Sequence, residues 1–168
     1  MNKRTRNTLL NATFAATMAA LPIFAIADNS NRAEPSIEGT WVSKVVVSVS
    51  PPVSVLALQT FFPGGHAIEE TTGSALRSVA QGEWERFGHR QFVRSMYIFA
   101  FDAPRTFTGM TKVVNTFELN HDGDEYDSIG NFEMYDTHGN LLATGQRLSH
   151  GIRCTAVTTV PHCMGIGE

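Results

Sequence analysis

The chain predicts an all-β fold, a single eight-stranded antiparallel up-and-down β-barrel. Three observations lead there. β-rich segments recur about every 12–16 residues with turn residues at nearly every junction. No stretch sustains a helical apolar period. The connections are short, so consecutive strands pair as a meander, and closing a meander into a barrel removes its exposed edges. A two-sheet sandwich ranks second, because its crossovers need longer connections.

The elements follow in order. The β-branched run 40–49 stops at Pro51-Pro52. "VSVLALQTFF", 53–62, stops at "PGG", and 66–72 stops at Gly73. The span 73–79 has room for a short helical turn. "VAQGEWER", 79–86, stops at "FGHR". "QFVRSMYIFAF", 91–101, stops at "DAPR". "TFTGMTKVVNTFELN", 106–120, stops at "HDGD", and 125–135 stops at "DTHGN". "LLATGQRLS", 141–149, is followed by "HGIR". Asp122-Gly123 and His138-Gly139-Asn140 carry hairpin-turn chemistry. Mid-strand Gly82, Gly109, Gly130 and Gly145 mark bends or bulges in a barrel.

Residues 1–27 stand apart. Lys3, Arg4 and Arg6 precede a mostly apolar stretch that ends at Ala25-Ile26-Ala27, the pattern of a secretory signal peptide. The stretch is too short and polar for a hydrocarbon core of about 30 Å. No cysteine follows Ala27, and Arg4 and Arg6 are not adjacent. A Sec-type signal is therefore expected, with a periplasmic or extracellular destination and no membrane insertion. Removing these three of the 13 basic residues leaves 10 against 16 acidic ones, a net charge of −6. That balance excludes nucleic acid as the expected partner. Residues 28–37 read as a flexible leader, 38–153 as the barrel and 154–168 as a tail.

Cys154 and Cys163 are the chain's two cysteines. In an exported protein the pair is expected to form a disulfide that pins the tail. Metal binding with His162 is the alternative, but two or three close ligands make a poor zinc site. No cofactor or metal is expected. The histidines fall at turns and strand ends. "HDGDEYD" lacks calcium-loop spacing and reads as a turn. No G-x-S-x-G, H-E-x-x-H or phosphate-binding glycine loop is present.

Gly39-x-Trp41 at the head of the first strand resembles the opening motif of the lipocalins and the wider calycin superfamily. "TFFPGG", "GEWERFGHRQF", "FELNHDGD" and "YDTHGN", in that order, resemble a bacterial secreted lipocalin-like group. G-x-W also opens avidin-type barrels, so the ordered set of turns carries the resemblance. It implies that Trp41 plugs the closed end and that an arginine near the last strand's end packs over it. Arg153 of "GIRC" is in the matching place, with Arg147 as the rival. It also implies binding of a small hydrophobic molecule.

Strand alternation selects the inward residues. Trp41 brings Ser43, Val45, Val47 and Val49 inward, and Phe61 brings Val53, Val55, Ala57 and Gln59. Trp84 brings Gly82 and Ala80, and Phe117 brings Val113, Asn115 and Leu119. Phe132 brings Tyr126, Ser128, Gly130 and Met134. Leu141 brings Ala143, Gly145 and Arg147. The expected ligand-binding set is Val45, Val47, Gln59, Phe61, Trp84, Asn115, Phe117, Ser128, Phe132, Met134 and Arg147. Strand 91–101 is apolar on both faces and cannot be phased. A second apolar face suggests a homodimer. Of Glu69 and Glu70, one points in and one out. His66 and Glu70 share a face and are candidates to pair.

Three functions remain open on sequence. One is a binder of a small hydrophobic molecule. Another is a cofactor-free barrel enzyme of cyclase or isomerase type, with Arg147 as oxyanion or carboxylate partner and Tyr126 as proton donor. The third is a structural barrel filled by its own side chains.

Overall fold

A computed structural model describes residues 34–73 and 75–166. The expected signal peptide lies outside the described residues. The strands are β1 (Gly39–Val47), β2 (Val53–Phe61), β3 (His66–Thr71), β4 (Ala80–Arg86), β5 (Gln91–Phe101), β6 (Phe107–Leu119), β7 (Glu125–Asp136) and β8 (Leu141–Cys154). All pair antiparallel with their neighbours in sequence, and β1 pairs with β8 to close the barrel. The eight-stranded up-and-down barrel expected from the turn spacing is the fold. It is compatible with a lipocalin-like architecture.

The turns form where their chemistry demands. Asn120 Oδ1 accepts from the backbone N–H groups of Gly123, Asp124 and Glu125 at 2.8, 3.1 and 3.3 Å. Asp136 Oδ1 does the same for His138 and Asn140 at 2.8 and 2.9 Å. A short side-chain acceptor thus closes each hairpin. The span after β3 is not helical among its described residues; it makes turns and a bridge between Arg77 and Ala100. At Gly109 the backbone has φ 151° beside a register shift on β5, a bulge that suits a residue without a Cβ.

The last strand is longer than the segment 141–149: β8 runs on through "HGIR" to Cys154. Gly151 makes this continuation possible. The Tyr126 ring lies over its Cα, where any Cβ would overlap the ring. Leu141 and Ala143, expected inward, are exposed at the open end. The end of the expected leader is held rather than free. Ile37 is fully buried, and Pro35 and Ser36 accept hydrogen bonds from Arg86 and Arg153 through their backbone oxygens. After the barrel, Cys154 and Cys163 join in a disulfide, and one helical turn, α1 (Val160–Cys163), follows. Each sulfur is occupied by the other, which leaves His162 without a thiolate partner for a metal.

β5 now has a phase. Phe92, Arg94, Met96 and Ile98 face the lumen and are buried. Tyr97 and Phe99 face out and are about half exposed, with Phe107 of β6 set edge-on against Phe99.

Candidate functional site

The lumen is built in three layers. Trp41 seals the closed end, fully buried, and its Nε1 donates to Ile37 O at 2.8 Å. Arg153 stacks over its indole at 4.2 Å and donates to the backbone oxygens of Gly123, Glu38 and Ser36. Arg153, not Arg147, covers the tryptophan. Above Trp41 the rings of Tyr126, Phe117, Phe61, Trp84 and Phe92 form a chain of tilted and edge-on contacts, with centroids 5.0–6.2 Å apart. These rings pack the closed half of the barrel against one another.

The middle layer is polar, and it is the least expected part of the molecule. Arg94 Nη2 donates to Glu69 Oε2 at 2.7 Å. Arg147 Nη2 donates to both Glu69 oxygens at 3.0 and 3.1 Å. The Glu69 and Arg94 side chains are 2% and 1% exposed. Arg94 Nη1 donates to Gln59 Oε1 at 2.5 Å. Gln59 Nε2 in turn donates to Ser43 Oγ and Tyr126 Oη at 2.7 and 2.8 Å. Across the lumen, Asn115 Nδ2 donates to Ser128 Oγ at 3.5 Å, and Ser128 and Ser149 share a bond of 2.6 Å. The Arg94 guanidinium also rests on the faces of Phe117 and Phe61, at 4.9 and 5.4 Å.

Charge organises this layer. Burial alone would raise the Glu69 carboxyl, but the charges of Arg94 and Arg147 and their hydrogen bonds overcome it and hold the group below the usual carboxylate value. Burial lowers Arg94, and Glu69 opposes that shift. An arginine stays protonated regardless. Burial raises the Tyr126 phenol, which keeps it neutral despite its hydrogen bond with Ser43. Two guanidiniums therefore face one carboxylate in a region nearly closed to water.

The top layer is open. A cavity of about 290 Å³ lies above the ionic cluster, lined by Val45, Val47, Val113, Ile98, Phe132 and Met134, among others. Arg147 and Glu69 face it from the polar layer, and Arg77 stands at its rim.

Within the expected ligand-binding set, Val45, Val47, Phe132, Met134 and Arg147 line this cavity. Gln59, Phe61, Trp84, Asn115, Phe117 and Ser128 belong to the polar layer or the filled half. So does Tyr126, whose hydroxyl is bonded to Ser43 at 2.6 Å. The pairing considered for His66 and Glu70 does not form; Glu69 is the inward member of its pair, and Glu70 is exposed. Sequence reasoning did not name Arg94. The available signal was an arginine between Phe92 and Met96 on one strand face. It went unread because β5 had no phase.

No protein-family model, curated protein or solved structure matches the chain. The fold and site define a class instead: an up-and-down β-barrel plugged at one end, crossed by a buried ionic cluster and open at the other end.

Proposed function

We propose that the protein binds one small, largely apolar molecule in the open half of its barrel, as a member of a lipocalin-like group. The cavity above the ionic cluster carries this reading. Its volume of about 290 Å³ stands at the lower end of small-molecule sites, and its wall mixes branched apolar side chains with few polar groups. A barrel filled along its whole length by its own side chains would leave no such space. The filled lower half gives the site a rigid floor. Export to an oxidising compartment belongs to the same proposal, supported by the Cys154–Cys163 disulfide.

Native mass spectrometry on the protein purified without detergent tests the proposal. A bound mass of a few hundred daltons, lost together with the fold on unfolding, is the expected result. Bare protein, with no thermal stabilisation by any small apolar compound offered, would overturn it.

A further inference from the structure

We infer that the molecule held in the open half carries one anionic head group, seated on Arg147 with its apolar body running toward the mouth. This inference rests on the lumen-binding proposal. It comes from the charges around the cavity. The charged residues lining it are Glu69, Arg77 and Arg147. Arg94 stands behind Glu69 and shares its carboxylate. The buried cluster alone therefore has two positive charges and one negative charge. Arg77 adds a third positive charge at the rim.

An unbalanced charge is costly where water reaches it from one side only, and the Arg147 side chain is 7% exposed, on the lining of the open cavity. Arg147 is more than nine-tenths buried, and its Nε has no hydrogen-bond partner. Its Nη2 is committed to Glu69. Glu69 is shared between both arginines and has no second charge to give. A ligand monoanion would supply what the cluster lacks and form charge-assisted hydrogen bonds with the guanidinium. Phe132 and Met134 lie along the same cavity wall and offer contact to an apolar chain. A cationic head would meet the arginines' repulsion. A neutral head would leave the charge unbalanced.

Three probes with the same eight-carbon chain test the head group: octanoate, 1-octanol and octylammonium. Their affinities are read by calorimetry at low salt. Octanoate is expected to bind about tenfold or more tighter than 1-octanol, the scale of one charge-assisted hydrogen bond. Octylammonium is expected to bind most weakly. Arg147→Gln should remove the octanoate advantage and leave 1-octanol binding in place, with circular dichroism reporting the fold. If that variant does not fold, Arg77→Gln at the exposed rim should still reduce octanoate affinity, with no change for 1-octanol. Equal binding of octanoate and 1-octanol by the wild type overturns the anionic head alone. Binding of none of the three overturns the lumen-binding proposal as well.

Discussion

Arg94 of β5 and Glu69 of β3 meet across the barrel lumen at 2.7 Å, although no sheet hydrogen bonds join their strands. The pair is the centre of the polar layer. A buried pair of this kind adds little net stability over an apolar substitute, but removing one partner strands the other. The two partners are not equivalent. Glu69 serves two arginines, whereas Arg94 leaves behind a carboxylate still bonded to Arg147. Glu69→Gln is therefore expected to destabilise by about 3–5 kcal/mol, and Arg94→Met by less. Urea unfolding of both variants gives the comparison. A smaller loss for Glu69→Gln than for Arg94→Met would mean that the carboxylate is not the hub.

The same carboxylate sets a pH dependence. Its pKa in the folded state lies below the unfolded value of 4.5. The stability that its ionised form contributes is thus fully present above pH 4.5 and drains away as the pH falls through the lower folded value. Other carboxylates also titrate there, so the difference between wild type and Glu69→Gln isolates the effect. That difference should be constant near neutrality and shrink below pH 4.5. A gap that stays flat down to acid unfolding would show that Glu69 titrates alike in both states.

Much of the fold could be read from residue order because the turns are local. Asn120 and Asp136 close their hairpins with their own side chains, so chain chemistry alone marks them. The strand phases could be read wherever one face was polar, as in β6 and β7. On β5 that contrast fails. Tyr97 and Phe99 outside are as apolar as Phe92 and Met96 inside, and only pairing with β4 and β6 sets the phase. Arg94 was hidden for this reason. The division of the lumen into filled and open halves was also hidden. It depends on how far the aromatic chain from Trp41 to Phe92 reaches, which is a matter of packing and not of pattern.

Trp41 supports a further expectation. Its ring has no exposure, is capped by Arg153 and touches Tyr126 at 5.0 Å. Trp41→Ala empties the closed end and should cost about 3–5 kcal/mol. The open cavity is separated from Trp41 by the aromatic chain and the ionic cluster. Ligand affinity in the surviving folded fraction should therefore change little. Thermal unfolding with and without a bound probe separates the two effects. A loss below about 1 kcal/mol would mean that the closed end collapses around the missing ring.

The tail offers the last test. Cys154 ends β8, and Cys163 lies nine positions on, in α1, with 5.4 Å between their Cα atoms. Closing so short a loop restrains the unfolded chain modestly, by about 2–3 kcal/mol. Cys154 pairs with Thr40 at the closed end of the barrel, far along the strands from the residues that line the open cavity. Replacing both cysteines by serine should lower the unfolding free energy by that modest amount and leave probe binding unchanged. Hydrogen exchange should speed up over residues 155–166 while β1 to β7 keep their protection. Faster exchange throughout the barrel would instead make the disulfide a determinant of closure, because the β1–β8 seam ends at Cys154.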